Sequence, residues 1–246
     1  MKTGVIAIVP AAGLGKRFDA SGRKTFVNIN GIPLLIYTLK RLHRENSITE
    51  IIPVLKQEEI EEGFELAGKY KLDKIKQIAP GGRERQDSIY NALRLIEKAG
   101  TGSPDQAAPV YRDSIVLIHD GVRPFIPEGM IDRLVSNVSD ANGVIPGIAV
   151  KETIKEVNNN GIVVSTLNRD KVRAVQTPQA FLFNTIKNAY DRAYSEGFYA
   201  TDDAALVERT GGKVKIIEGS PFNIKITTPE DLEMVEYVLE REQNLS

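Results

Sequence analysis

The sequence predicts an α/β fold, a Rossmann-like, mostly parallel sheet with helices on both faces and a projecting β-arm. Three observations predict it. Short apolar, β-branched runs near residues 5–9, 51–55, 74–79, 114–118 and 143–150 read as buried strands. Segments of helical period separate most of them, as in parallel sheets built from βαβ units. One stretch, residues 151–172, breaks the alternation and reads as a hairpin.

The elements follow in order. The first run breaks at Pro10 and enters Ala11-Ala12-Gly13-Leu14-Gly15-Lys16-Arg17. A helix is expected over 33–46, because Leu35, Thr38, Leu39 and Leu42 share one face and Pro33 suits a first helical position. Residues 51–55 form a second strand despite Pro53, the polar segment 57–71 a helix, and 74–79 a third strand. Pro80-Gly81-Gly82-Arg83 is a tight loop, followed by a helix carrying Ile89, Ala92, Leu93 and Ile96. Residues 100–112, rich in Gly, Pro, Ser and Ala, read as a surface loop. The strand 114–118 ends in His119-Asp120-Gly121-Val122-Arg123-Pro124, and a helix over 128–140 leads to the strand 143–150.

In the arm, apolar residues flank Asn158-Asn159-Asn160-Gly161, a hairpin turn signal. A lone two-stranded hairpin is marginal in water, so this one is expected to pack on something, and a second subunit is the natural candidate. Helices follow over 183–195 and 201–210, and strands over 214–218 and 222–226. A last helix starts at Pro229, capped by Thr228 and carrying Leu232, Val235 and Leu239 on one face. Without internal repeats, residues 1–246 are expected to form one domain, with 151–172 as a dimerisation arm.

Composition narrows the function classes. With 32 basic against 33 acidic side chains, the chain has no electrostatic footprint for nucleic acid or an anionic membrane. Zero cysteine removes disulfide scaffolds, thiolate zinc sites, iron–sulfur clusters and cysteine nucleophiles. The two histidines, His43 and His119, argue against a histidine metal cage. No apolar run approaches a membrane span, and no leader pattern is read before the first strand. A soluble cytoplasmic protein is the expectation.

Gly13-x-Gly15 directly after a buried strand lets backbone N–H groups approach phosphate oxygens. On those two residues alone, a tight strand exit with no ligand is an equal reading. The neighbours shift the balance. Phe18 stands where the dinucleotide fingerprint needs its third glycine, which counts against NAD. There is no P-loop run. Instead Arg17 and Lys24 follow, cations of the kind that stabilise phosphoryl transfer, while Lys16 and Arg23 read as solvated surface. Asp120 stands at the carboxyl end of a strand, where ligands bind in open α/β sheets; its structural alternative is an Asx turn with Gly121. His119 beside it reads as packing or as support behind the site residues, not as a base. Lys225 lies in a strand pattern, so a cation there needs an anionic partner.

The block from Pro10 to Arg17, with Lys24, resembles the signature of the sugar-phosphate nucleotidylyltransferases. Gly81-Gly82-Arg83-Glu84-Arg85-Gln86-Asp87-Ser88, His119 to Pro124, Thr177-Pro178-Gln179 and Asn223-Ile224-Lys225-Ile226-Thr227 narrow the resemblance to the 2-C-methyl-D-erythritol 4-phosphate cytidylyltransferase family. The ribitol-5-phosphate cytidylyltransferases share this layout but tend to carry a glycine at Ala12, and they remain the alternative. Departures from the favoured family are Arg83, Phe222, and Gly121-Val122 in place of paired alanines.

The resemblance implies a magnesium-dependent transfer in which an alcohol monophosphate attacks the α-phosphorus of CTP and pyrophosphate leaves. It implies nucleotide contacts from Ala11, Ala12, Gly13, Arg17, Lys24, Gly82, Ser88 and Gly121. Arg17, Lys24 and Lys225 would be catalytic and Asp120 would hold Mg²⁺. Arg123, Thr153, Arg169, Thr177, Thr201 and Lys225 would contact the acceptor, with Thr153 and Arg169 reaching the partner's site in a homodimer. Thr201 reads equally well as a helix cap. The distant alternative is a regulatory module that binds nucleotide without turnover, although retention of Arg17, Lys24 and Asp120 together disfavours it.

Overall fold

The computed structural model describes residues 4–13, 24–99 and 114–243. The first strand, β1 (Val5–Pro10), shows why the sheet is central. Val5, Ala7 and Val9 enter one apolar layer while Ile6 and Ile8 enter the other, so both faces of the strand are buried. A small hairpin of β2 (Asn28–Ile29) and β3 (Ile32–Pro33) follows, turning at Asn30-Gly31. It leads into α1 (Leu34–Arg44), whose buried face is Leu35, Thr38, Leu39 and Leu42 as the period predicts.

Next come β4 (Ile48–Leu55), α2 (Ile60–Lys69), β5 (Ala79–Pro80) and α3 (Arg85–Ala99), the last burying Ile89, Ala92, Leu93 and Ile96. Pro53 is tolerated inside β4 for a specific reason. Ile51, two residues earlier, donates its N–H to the Lys74 carbonyl, and β5 begins pairing only at Val54. The amide that Pro53 lacks would thus face a stretch of edge with no ladder. The third strand is correspondingly shorter than the sequence pattern suggests: residues 74–78 run beside β4 without joining the ladder.

The chain continues through β6 (Ile115–Ile118), α4 (Met130–Asn137) and β7 (Gly143–Ala149). The arm is β8 (Lys155–Val157) paired with β9 (Val163–Thr166) as a separate two-stranded sheet. Asn158 builds its turn, its Oδ1 accepting from the amides of Asn160 and Ile162 at 3.0 Å each, and Gly161 takes φ +76°. Then follow β10 (Arg173–Val175), β11 (Gln179–Leu182), α5 (Phe183–Ser195), α6 (Asp203–Arg209), β12 (Val214–Glu218) and α7 (Glu230–Gln243).

The main sheet runs β10-β7-β11-β6-β1-β4-β5, with β12 pairing β7. It is an α/β sheet, parallel except that β10 and β11 lie antiparallel along one side of β7, and β11 also pairs antiparallel with β6. The sequence reading has no strands there. Each run is only three or four residues long and Pro178 separates them, so no period can develop. Helices α1, α2 and α4 cover one face and α3, α5 and α6 the other.

Residues 222–226, expected as a strand, form a turn and irregular chain instead. Asn223 is fully buried there, its side-chain amide donating to the Thr177 carbonyl at 2.8 Å, so side-chain bonds replace a ladder. Leu232 and Val235 of α7 pack on Leu34, Phe125 and Ile226, while the Leu239 side chain and the loop 100–112 lie outside the described residues. The Asp231 carboxylate accepts from the amides of Thr227 and Thr228, so it ties the chain that enters α7 to the helix's first turn.

Candidate active site

The carboxyl ends of β1, β4 and β6, with the loops that follow them, wall a cleft of about 750 Å³. This is the topological switch point of the sheet, because β4 flanks β1 on one side and β6 on the other. Ala11, Ala12, Gly13, Lys24, Gly82, Ser88, Asp120 and Lys225 all line it. The Ala11 amide donates to the Val54 carbonyl at 2.9 Å, and Thr25 Oγ1 donates to the Ala11 carbonyl at 3.2 Å. Those bonds anchor both ends of the first loop. The second loop lies directly against the first. A Cβ on Gly81 would overlap that of Ala12, and one on Gly82 would overlap that of Asp87, so only glycine permits the approach. The Gly82 amide donates to Ser88 Oγ at 3.0 Å, so Ser88 shapes this loop as well as lining the cleft.

A second cleft, of about 570 Å³, opens between β7, β12 and the start of α6. Arg123, Thr177, Gln179, Thr201 and Asp202 line it, and it shares Arg85, Asp120 and Lys225 with the first. The two clefts therefore meet on one carboxylate. Asp120 Oδ2 receives Lys225 Nζ at 3.0 Å and Arg123 Nε at 3.2 Å, and Oδ1 receives Arg85 Nε at 3.4 Å. Burial by itself would raise the Asp120 pKa, but Arg85, Lys225 and Arg123 outweigh it and hold the carboxyl well below the usual carboxylate range. Arg85 also forks onto Asp203 at 3.1 and 2.8 Å. Three cations thus face two carboxylates, and a positive charge is left over where the clefts join.

His119 is fully buried behind this cluster and lines neither cleft. Its Nε2 lies 2.9 Å from the Arg123 carbonyl, which can only accept, so Nε2 carries the proton. Its Nδ1 then accepts from the Thr177 hydroxyl at 3.0 Å, while that oxygen accepts from the Asp120 amide at 3.1 Å. Burial pushes the His119 pKa down from 6.5 to about 4. The unfolded chain therefore takes up this proton first as pH falls, and the folded state loses stability between pH 6.5 and 4, by roughly 3 kcal/mol in all. Denaturant unfolding across that window is expected to show the loss. One imidazole C–H resonance should stay unshifted down to pH 5; a ring titrating near its ordinary value at this position would refute the assignment.

The remaining sequence-derived residues fall elsewhere. Arg17 lies outside the described residues. Gly121 lines neither cleft: its amide donates to the Pro10 carbonyl at 3.2 Å and its carbonyl accepts from Thr38 Oγ1 at 3.0 Å, so it packs β1 against α1. Thr153 and Arg169 are exposed on the arm, where Arg169 Nη1 donates to the Lys151 carbonyl at 2.7 Å. Thr201 lines the second cleft but does not cap α6; Asp202 does, accepting from the Ala205 amide at 3.1 Å. The anionic partner that Lys225 requires is Asp120, although Lys225 sits on irregular chain and not on a strand.

The sequence assigns Arg85, Gln179 and Asp202 no site role of their own, although Arg85 and Gln179 stand inside the family blocks. Gln179 Nε2 donates to Asp202 Oδ2 at 2.9 Å, which fixes the rim of the second cleft. Arg85 did leave a signal, since a cation in the first turn of a helix opposes the helix dipole and needs a partner.

Among the described residues, no group of three or more His, Cys, Asp or Glu side chains gathers to hold a metal ion. Asp120 nevertheless fits a magnesium ion in the mode that takes one carboxylate, waters and substrate phosphates, because among the described residues it is the carboxylate that lines both clefts. No described helix is long and apolar enough to cross a membrane.

A cationic crevice at the switch point, backed by a glycine-lined loop and opening through a shared carboxylate onto a second cleft, is the framework of an α/β nucleotidyltransferase. The model of the family described as IspD: 2-C-methyl-D-erythritol 4-phosphate cytidylyltransferase matches residues 5–241. The chain belongs to that family. It is 41% identical over 246 residues to the 2-C-methyl-D-erythritol 4-phosphate cytidylyltransferase of Syntrophus aciditrophicus, covering 99% of both chains. The protein of the same name from Dictyoglomus thermophilum is 41% identical over 241 residues, which is 97% of this chain and 98% of that one. The crystal structure of 4-diphosphocytidyl-2C-methyl-D-erythritol synthase from Anaerococcus prevotii superposes with a TM-score of 0.79 at 31% identity, covering 96% of each chain.

Proposed function

We propose that this chain transfers the cytidylyl group of CTP to 2-C-methyl-D-erythritol 4-phosphate, giving the CDP-alcohol and pyrophosphate in the non-mevalonate isoprenoid pathway. The single observation that carries the reading is the junction of two clefts on Asp120, Lys225 and Arg85. Two substrates entering from different sides would meet there, at the leftover positive charge.

In this reading the cleft of Ala11, Ala12, Gly13, Gly82 and Ser88 receives the nucleotide, and backbone groups read the base. The acceptor phosphate enters between Arg123, Thr177, Thr201 and Lys225. An acceptor oxygen forms a bond to the α-phosphorus as the bond to the bridging oxygen breaks, and pyrophosphate carries away the electron pair. Lys24 and Arg17 hold the triphosphate and the charge that develops on it. Asp120 would hold Mg²⁺, which when bound neutralises phosphate oxygens. Lys225 is then poised to move from carboxylate to acceptor phosphate. Pyrophosphate release measured over CTP, other nucleoside triphosphates, methylerythritol phosphate and ribitol phosphate, with and without Mg²⁺, tests all of this. Release that requires CTP and methylerythritol phosphate together is expected; equal or better turnover of ribitol phosphate would reassign the acceptor.

The chain is also read as a cytoplasmic homodimer built on the arm. Val157, Ile162, Val163 and Val164 are each more than half exposed on a hairpin that has no core of its own, and that favours a covering partner. Thr153 and Arg169 would then complete the neighbour's acceptor cleft. Mixing Arg169→Ala with Lys24→Ala subunits is expected to restore activity, because some sites in mixed dimers carry neither lesion. No recovery after proven subunit exchange would remove Arg169 from a shared site.

A further inference from the structure

We propose that Arg85 is a positioning residue of the transfer: it pins the Asp120 carboxylate at the junction of the clefts and ties it to the helix that borders the acceptor side. The inference rests on the functional reading above and deepens it.

The observation is a chain of contacts that runs from the core to the site. Tyr190, fully buried, donates its hydroxyl to Asp203 Oδ1 at 2.6 Å. Asp203, only 1% exposed, accepts both terminal nitrogens of Arg85, and Arg85 Nε reaches Asp120 Oδ1. Arg123 and Lys225 engage the other carboxylate oxygen, Oδ2, so both oxygens are held and the carboxylate plane cannot rotate freely. Arg85 and Asp203 are the first residues of α3 and α6, and α6 follows directly on Thr201 and Asp202 at the acceptor rim.

Stability alone does not explain this arrangement. A cation at a helix start opposes the dipole, and a buried ion pair is no more stabilising than apolar packing of the same shape. What the pair supplies is direction. The guanidinium fork presents two parallel donors to Asp203 and a third, in the same plane, to Asp120. A lysine ammonium is a point charge and cannot hold all three contacts at once.

The test is steady-state kinetics of Arg85→Lys, Arg85→Ala, Asp203→Asn and the double variant Arg85→Lys/Asp203→Asn. Arg85→Lys is expected to fold, to keep the CTP KM within about threefold and to lose at least about tenfold in kcat, as when a group that orients a reacting centre is disturbed. Millimolar guanidinium, far below denaturing levels, should restore part of the kcat of Arg85→Ala. The double variant should be no worse than its worse parent, since both residues act in one strut. Tyr190→Phe keeps the ring packing and removes only the donor to Asp203, so it reads the same strut through the mildest change and should lower kcat severalfold.

A folded Arg85→Lys or Tyr190→Phe with wild-type kcat would overturn the inference, as would losses that add in the double variant and ignore guanidinium. Wild-type enzyme separates the two levels. If it releases no pyrophosphate from CTP and methylerythritol phosphate, the functional reading fails and takes this inference with it. If it turns over while Arg85→Lys is unaffected, this inference alone fails.

Discussion

Lys24→Ala is expected to lower turnover by about 10²- to 10³-fold, roughly 3–4 kcal/mol of transition-state stabilisation, with the fold intact. Lys24 opens a short 3-10 turn, Lys24–Phe26, at the wall of the nucleotide cleft. Its backbone is held independently of its ammonium, because the Lys24 carbonyl accepts from Val27 while Thr25 and Phe26 are buried. Truncation therefore removes charge from the cleft while these backbone contacts of residues 24–27 remain. The charge acts on the triphosphate, where negative charge grows as the pyrophosphate bond lengthens, so kcat should fall further than CTP affinity. Pyrophosphate release beside a thermal melt checks both halves. Near-normal release from a folded variant would take Lys24 out of the mechanism.

Asp120→Asn is expected to damage stability and turnover together. The substitution is nearly isosteric, but it leaves Arg85, Arg123 and Lys225 facing one another without their common anion. Removing one partner from a largely buried ion cluster costs on the order of 3–5 kcal/mol. The sign of its pH dependence is fixed as well. Because the folded pKa is depressed, the carboxylate contributes fully above the ordinary value of 3.8 and progressively less as pH falls below it. This window lies beneath that of His119, so wild-type protein should weaken in two stages on acidification; Asp87 and Asp231, also held below their ordinary values by hydrogen bonds, share the lower stage, and Asp120→Asn should shrink it. Turnover should fall by at least about 10²-fold, since the variant leaves both clefts without the carboxylate they share. Denaturant unfolding at pH 7, 4 and 2.5, with activity at pH 7, separates the two stages and reads both effects. A variant as stable and active as wild type would mean that the cations are balanced elsewhere.

Much of the architecture was legible because it is written in short-range pattern. The helix periods of α1 and α3, the buried runs of β1, β4 and β6 and the Asn-rich turn of the arm each arise within a dozen residues. The two antiparallel strands beside β7 were not legible for the opposite reason. Their runs are too short to show a period, and their place in the sheet is granted by neighbours distant in the chain. The expected strand at 222–226 fails because Asn223 turns inward and spends its amide on Thr177, a partner no local pattern names.

The candidate site divides in the same way. Residue type and order singled out the first glycine loop and Lys24, because phosphate chemistry needs backbone amides and cations wherever they stand; the family resemblance added Gly82, Asp120, Arg123 and Lys225. Arg85 escaped: its meaning depends on Asp203, 118 residues away, and on sharing Asp120 with Lys225. Legible in the sequence are the chemical groups the chain can bring to a phosphate and the helices and strands long enough to show a period, since both are properties of composition and local spacing. Only the tertiary structure decided that two clefts open onto one carboxylate and which cation holds each of its oxygens. Electrostatic contacts act through space, and the fold chooses which distant residues come within reach of one another.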